Sequence, residues 1–269
     1  MTGSTAVHRA LERLDEERDA VAERGAAFEA FSTRVRELPA ASPGPTGDRR
    51  PPMASPTAMA PPIQTQRSAP SPSESHCVTV REAFDEIVQP HSTADIDTDE
   101  SLAETIAAEL NEDIAVALAT ETGWTPSLKA AVLEETATRR REVTVLEETL
   151  RDERQTLEAA IDEVDEIVAW LRSTADESLL QCDFDRLEGK HEQLETYRDR
   201  LEELTSDRQT QLAGSTNRYG PGGTRYRTMV ESVYSACRTR YPVLSTATRL
   251  YGICGDCQRT VRAHLSRRV

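Results

Sequence analysis

The sequence predicts an all-α, elongated protein: an antiparallel coiled-coil hairpin with short flanking helices and a disordered Pro-rich linker. The main observation is that valine or leucine recurs at every seventh position, which keeps one stripe of a long helix against a partner helix. This repeat consists of Val143, Leu150, Leu157, Val164 and Leu171. In addition, only 4% of the 269 residues are aromatic and 29% are charged, which favours thin helical packing over one large globular core.

Residues 1–38 are predicted to form an N-terminal amphipathic helix. Its apolar residues also stand seven apart: Val7, Leu14, Val21, Phe28 and Val35. The second set of seam positions begins with Leu11 but continues with Arg18, Gly25 and Ser32, so the helix is expected to need a partner that covers its apolar side. The sequence leaves open whether this helix folds back on the hairpin or stays free on the segment that follows.

Residues 39–76 are predicted to be a disordered linker rich in Pro, Ser and Ala. Ten of the 14 prolines of the chain lie between Pro39 and Pro72. Such a composition supplies neither a core nor a sheet ladder, and it is typical of spacers with partial polyproline II character. Proline-rich recognition is the alternative interpretation.

A small helical unit is predicted over residues 77–123. Its first helix ends before Pro90. The second carries an apolar residue at every fourth position, with Asn111 as a joint and with Thr98 or Asp99 as the cap that starts it. Its apolar residues are Leu102, Ile106, Leu110, Ile114 and Leu118.

The coiled-coil hairpin is predicted over residues 124–213. Thr125 and Pro126 supply an N-cap and a first-turn proline for the long helix. The second helix begins at Phe184. Because a loop of about ten residues joins two long helices, they are expected to pack antiparallel. The seam of the first helix then faces the leucines that repeat the seven-residue spacing in the second helix: Leu187, Leu194 and Leu201.

Residues 214–269 are predicted to form a basic pair of helices, of which the last begins at Pro242. From Arg225 onward, nine arginines face two acidic residues, a formal charge of +7 that leaves −22 for the rest of a chain with net charge −15. A basic helical end is able to hold phosphates. The simpler interpretation is that this end docks on the acidic long helices.

The balance of acidic and basic residues also indicates the ionic strength at which the protein works. The chain has 47 acidic and 32 basic residues, and only Lys129 and Lys190 of the bases are lysine. Acid-rich, lysine-poor surfaces suit a cytoplasm of very high ionic strength, so the sequence predicts an extreme halophile. The first residues lack the apolar core of an export signal, and no window is long and apolar enough to span a bilayer. We therefore expect a cytoplasmic protein.

A Cys254-Gly-Asp-Cys257 motif is the strongest chemical signal. With Cys237 and His264 it makes a candidate zinc set, and alone it makes a candidate thiol-redox pair. A second metal-binding pair at the usual spacing is missing. Apolar packing is the favoured interpretation, because both cysteines fall on one apolar helical face. That face comprises Val243, Ala247, Leu250, Cys254, Cys257, Val261 and Leu265.

The remaining motifs give no evidence of catalysis. The sequence contains no G-x-S-x-G, HExxH, P-loop or GxGxxG motif, and its neighbouring acidic residues are typical of solvated helix faces. We therefore predict a protein that is not an enzyme, with no catalytic residue, no cofactor and no metal site.

Several segments together resemble an uncharacterised haloarchaeal helical family, a domain of unknown function. They include "ALERLDEERDAVAERGAAFEAF", "VREAFDEIV", "LAETIAAEL", "SLKAAVLEET", "LEETLRDERQTLEAA" and "YPVLSTATRL". The resemblance covers most of the chain except the Pro-rich linker. It implies a halophilic archaeal source, and it carries over no known activity, cofactor or functional residue.

These observations predict a cytoplasmic interaction or scaffold protein. Its apolar stripes are expected to bind its own helices, a second copy in a homodimer, or another helical protein, and no membrane. The alternative is a DNA-associated regulator that uses the basic C-terminal helices. A zinc or thiol-redox protein that uses the CxxC motif is the least favoured hypothesis.

Overall fold

The computed structural model describes residues 5–40, 72–92, 101–120, 123–214 and 226–267, and these residues form helices and no strand. The predicted all-α class is therefore confirmed. None of the described helices is sufficiently long and apolar to cross a membrane. In chain order they are α1 (Ala6–Glu37), α2 (Pro72–Ile87), a short 3-10 helix (Gln89–His91), α3 (Leu102–Glu109), α4 (Glu112–Ala119), α5 (Pro126–Ala175), α6 (Phe184–Gly214), α7 (Tyr226–Val233) and α8 (Pro242–Leu265).

The chain divides into two compact units. The terminal unit comprises Met1–Val21 with Val145–Val269, and the central unit comprises Ala22–Thr144. Helices α1 and α5 each contribute one part to either unit. Most of the predicted linker, residues 41–71, lies outside the described residues. The end of that linker differs from the prediction, because α2 begins at Pro72 rather than after residue 76. Proline is well tolerated in a first helical turn, where its missing N–H leaves no hydrogen bond unmade.

In the central unit, α1 packs antiparallel to the start of α5. Lys129 Nζ donates to the carbonyl oxygens of Arg36 at 2.7 Å and Leu38 at 2.6 Å, so one of the two lysines caps the end of α1. Farther along α5, Arg140 pairs with Glu29. Later residues of α5 therefore contact earlier residues of α1, as expected for antiparallel helices. Within this unit, helix one is docked rather than free.

The small helices of the central unit start at polar caps. Asn111 Oδ1 accepts a hydrogen bond from the Ile114 N–H at 2.7 Å and starts α4, so the predicted helix over residues 102–118 is two helices jointed at Asn111. Ser101 and Glu104 form a reciprocal capping box that starts α3. The predicted caps Thr98 and Asp99 lie outside the described residues, and the cap of α3 is Ser101.

Helix α5 begins as predicted. Thr125 Oγ1 accepts from the Leu128 N–H at 3.1 Å, and Pro126 is the first helical residue. The helix then continues for 50 residues to Ala175. Its length follows from the sequence, because no proline or glycine interrupts it after the first residue.

In the terminal unit, α5 and α6 run antiparallel. Arg200 on α6 binds Glu163 and Glu166 at 2.6 and 2.7 Å, while the later Arg208 binds the earlier Glu153 at 2.8 Å. The N-terminal part of α1 lies along the same stretch of α5, with His8 Nε2 3.4 Å from Asp165 Oδ2 and Arg154 Nε 3.0 Å from Asp15 Oδ1. Helix α8 packs against α6. These contacts define an antiparallel hairpin covered by further helices.

Candidate functional site

The residues of the predicted seam are buried inside the chain. Val143 is 7% exposed in the central unit, and Leu171 is half-buried at the edge of the core of the terminal unit. The other six are at most 1% exposed: Leu150, Leu157, Val164, Leu187, Leu194 and Leu201. Val164 belongs to one core cluster with the three leucines of α6. The stripe is therefore covered by the chain's own helices.

A carboxylate interrupts this apolar seam. Glu153 is fully buried, three residues after Leu150 and four before Leu157, at a seam position. Each of its two oxygens accepts two hydrogen bonds. Arg208 Nη2 and the Tyr234 hydroxyl donate to Oε1, both at 2.8 Å. Arg208 Nη1 at 2.9 Å and the Tyr226 hydroxyl donate to Oε2.

The network extends beyond the carboxylate. Arg208 Nη1 also donates to Gln211 Oε1 and to the Tyr226 hydroxyl, each at 2.8 Å. Gln211 Nε2 in turn donates to Thr156 Oγ1 at 2.9 Å. The buried network therefore joins α5 and α6 to α7 and to Tyr234 in the turn that follows α7.

The electrostatics of the network follow from its burial. Desolvation, reinforced by the negative charge of Glu153, raises the pKa of Tyr226 and of Tyr234, so both hydroxyls stay protonated and donate. Burial acts to lower the pKa of Arg208, but the charge and hydrogen bonds of Glu153 outweigh it and raise that pKa overall. A carboxylate offers about four acceptor positions, and all of those of Glu153 are occupied. The arrangement therefore fixes the helices in register.

The CxxC motif lies on the buried face of α8. Cys254 is fully buried and Cys257 half-buried, and neither forms a disulfide. Desolvation, followed by the nearby Cys257 thiol, raises the pKa of Cys254 to about 11. Among the described residues, which include Cys237 and His264, no three histidine, cysteine or acidic side chains gather into a group able to hold a metal ion.

Helix α8 contributes Ala247, Leu250, Cys254 and Val261 to the apolar cluster that it shares with α6. Arg198 of α6 adds polar contacts to α8, because it donates to Tyr251 Oη at 2.5 Å and to Gln258 Oε1 at 2.8 Å. Within the described part of the chain, the ion pairs of the α7–α8 arginines are internal to that segment: Arg227 with Glu231 and Arg259 with Asp256. The C-terminal end therefore docks on a long helix, α8 on α6, without an ion pair from its own arginines among the described residues.

Five arginines of this segment make no ion pair within the described residues and are exposed: Arg238, Arg240, Arg249, Arg262 and Arg267. The three arginines within α8 are Arg249, Arg259 and Arg262, and Arg267 lies just beyond the end of the helix. An exposed guanidinium that makes no ion pair is a ready donor to carboxylates or phosphates of another molecule. These side chains are the part of the predicted basic end that the fold leaves exposed.

The sequence interpretation missed the buried network. Position 208 continues the seven-residue spacing of Leu187, Leu194 and Leu201 by one more step. On α5, Glu153 likewise precedes the buried Ala160 and Ile167 at intervals of seven. An arginine and a glutamate at facing seam positions are the signal that could have indicated a buried ion pair.

Comparison with known protein families identifies a domain family. The model of the family DUF7260, described as a domain of unknown function, matches residues 5–258. No curated protein and no solved structure matches the chain.

Proposed function

We propose that this chain, which belongs to the DUF7260 family of unknown function, is a non-enzymatic helical interaction protein that acts as a scaffold. One observation carries the proposal: the apolar stripes are covered internally, whereas exposed charged residues cover the outside of α6 and α8. The outer face of α6 is acidic, and α8 exposes arginines: Glu188, Glu192, Glu195, Asp199 and Glu202 on α6, and Arg249, Arg259 and Arg262 on α8. Binding partners therefore meet charged helix faces on a fixed framework. The seam supplies rigidity, and the outer faces supply specificity.

The composition supports a cytoplasm of very high salt as the setting of this scaffold. The chain has a net charge of −15 and 32 basic residues, of which two are lysine. Both lysines are engaged in the structure: Lys129 caps α1, and Lys190 binds Glu177 at 2.7 Å. Lysine is thus retained where a compact donor is used and replaced by arginine elsewhere, as suits a halophilic archaeal protein.

A DNA-associated regulator is the second candidate function. It is favoured by the exposed arginines of α8, since guanidinium groups bind phosphates well. It is disfavoured by the neighbouring helix of the same unit, because the outer face of α6 is acidic and repels a polyanion.

Chemical cross-linking of the tagged full chain in its host tests the proposal. We expect a protein partner, another copy or a second protein, that is retained by wild type and lost by an Arg249→Glu/Arg262→Glu variant. An Arg151→Glu/Arg172→Glu variant is the control, because it makes the same change in charge at exposed positions of α5. The scaffold proposal is contradicted if no protein is cross-linked while duplex DNA binds wild type and control but not the α8 variant.

A further inference from the structure

Helix α8 carries two free thiols one turn apart. Cys254 is fully buried and Cys257 is half-buried, and the charge of one thiol acts on the other. Residues three apart in an α-helix have Cα atoms about 5 Å apart, which lies within the range of about 4.4–6.8 Å that disulfides bridge. The backbone therefore holds the two cysteines at a separation that a disulfide can span.

The Cβ atoms of such a pair must move closer before a disulfide can form. Side chains three apart on a helix have Cβ atoms about 5–6 Å apart, whereas a disulfide holds them about 3.5–4.5 Å apart. The turn from Cys254 to Cys257 therefore has to tighten locally, and a stiff helical turn would resist that change.

Two glycines give this turn the required freedom. Gly252 lies just before Cys254, and Gly255 lies between the two cysteines. A Cβ at Gly252 would meet nothing within 4 Å, and one at Gly255 would meet Arg198 Nε at 3.8 Å, which is an ordinary contact. Packing therefore requires neither glycine, although glycine weakens a helix interior through its backbone freedom. That freedom is what tightening of the turn uses.

Arg198 of α6 spans the same turn. It donates to Tyr251 Oη and Gln258 Oε1, which flank the cysteine pair, and its buried Nε makes no hydrogen bond within the described residues. Burial, followed by the Cys257 thiol, raises the pKa of Cys254, while the positive charge of Arg198 acts to lower it. Cys254 is therefore a protonated thiol at neutral pH, and Arg198 reduces the cost of forming its thiolate.

We propose that Cys254 and Cys257 form a modification site, at which a hydroperoxide closes a reversible disulfide within α8. This inference goes beyond the proposed scaffold function and does not depend on it. A zinc ion fits less well, because no three possible ligands gather among the described residues. A disulfide needs the two thiols alone.

The chemistry has two steps. The sulfur of Cys257, the more exposed thiol, attacks one oxygen of the hydroperoxide; the O–O bond breaks, Cys257 becomes a sulfenic acid, and the thiol proton leaves with the other oxygen as water or an alcohol. The sulfur of Cys254 then attacks the Cys257 sulfur; the S–S bond forms, the S–O bond breaks, and the hydroxyl group leaves as water with the Cys254 proton. Two thiols are oxidised and one hydroperoxide is reduced.

Peptide mapping of the folded full chain after treatment with hydrogen peroxide tests the site. Remaining thiols are blocked with N-ethylmaleimide before digestion with trypsin. Cleavage after Arg249 and Arg259 releases residues 250–259, which contain Cys254 and Cys257 and no other cysteine. We expect this peptide to be lighter by two hydrogen atoms, to carry no N-ethylmaleimide, and to regain both thiols with dithiothreitol.

Substitutions test the order of the steps and the role of the glycines. Cys254→Ser is expected to accumulate a sulfenic acid on Cys257 that dimedone traps, whereas Cys257→Ser should leave Cys254 without a dimedone adduct. Gly252→Ala/Gly255→Ala keeps both thiols and is expected to form the disulfide several-fold more slowly than wild type. Gly189→Ala is the matched control, because it makes the same change in α6, where a Cβ also meets nothing within 4 Å, and it should react at the wild-type rate.

A peptide 250–259 that keeps both thiols, or that carries two separately oxidised cysteines, overturns the site. So does a disulfide that joins either cysteine to a third cysteine instead. A Gly252→Ala/Gly255→Ala variant that closes the disulfide as fast as wild type contradicts the role of the glycines. If a serine variant loses helical circular dichroism, the wild-type peptide map and the glycine variants decide, since neither removes a thiol.

Discussion

Replacing Glu153 by leucine is expected to destabilise the terminal unit severely. Leucine fits an apolar seam and is similar in size to glutamate, so the seven-residue pattern alone predicts that the variant is more stable than wild type. The structure predicts the opposite, because Arg208, whose side chain is 2% exposed, would keep its charge without a partner. Tyr226 and Tyr234 would also lose their acceptor.

The magnitude follows from the contacts. Removing one partner of a buried ion pair costs about 3–5 kcal/mol, since the remaining charge stays desolvated. That loss is a large part of the roughly 5–15 kcal/mol that stabilises a typical folded domain. Replacing the complete network by apolar groups of similar size is often close to neutral. The fourfold variant Glu153→Leu/Arg208→Met/Tyr226→Phe/Tyr234→Phe should therefore be more stable than Glu153→Leu alone.

Urea denaturation followed by circular dichroism at fixed salt measures both variants. We expect the single variant to lose about 3–5 kcal/mol in free energy of unfolding and the fourfold variant to regain most of it. A single variant within about 1 kcal/mol of wild type would refute the reasoning. A fourfold variant that is less stable than the single one would refute it as well, because the four side chains would then not act as one unit.

Four further outcomes are expected. Leu157→Asp should lower the unfolding free energy by several kcal/mol, because it buries an unpaired charge at a fully covered position; an unchanged thermal melt in high salt would contradict this. Ser101→Ala should cost about 1 kcal/mol through loss of the capping box, with Ser101→Thr as the control that keeps the cap. Gly189→Ala should raise stability by about 0.5–1 kcal/mol, because open space receives the methyl group; a loss would disprove that packing. Cys254, whose pKa is about 11, should react with iodoacetamide far more slowly than the half-buried Cys257, and equal alkylation rates for the two thiols would argue against its burial. The contribution of Cys254 to the free energy of unfolding should fall as pH rises from 9.0 toward 11, because the folded thiol holds its proton more tightly than the unfolded one.

The local signals in the sequence were sufficient for most of the fold. Thr125 with Pro126 and the proline at position 242 mark helix starts through short-range chemistry, and Asn111 marks a joint for the same reason. The start of α3 was missed because the capping box of Ser101 with Glu104 lies just after the residues chosen as its cap. Each of these features depends on residues within one helical turn.

The buried network could not be predicted by the same means. A single glutamate among apolar seam residues resembles a solvated residue until its partner is known, and Arg208 lies 55 residues away on another helix. Tyr226 and Tyr234 come from beyond the hairpin altogether. The choice of partners far apart in the sequence therefore decides this feature.

Spin-label distances across the hairpin test the central claim, the antiparallel pairing of α5 with α6. Labels at Asp152 with Thr210 and at Glu166 with Thr196 occupy exposed positions two heptads apart on one flank of the hairpin, in a background with the native cysteines replaced by alanine. Both matched pairs should give similarly short distances, consistent with helix axes about 8–10 Å apart, whereas the crossed pair Asp152 with Thr196 should be offset by about 20 Å along the helices. A long distance in either matched pair would contradict the pairing.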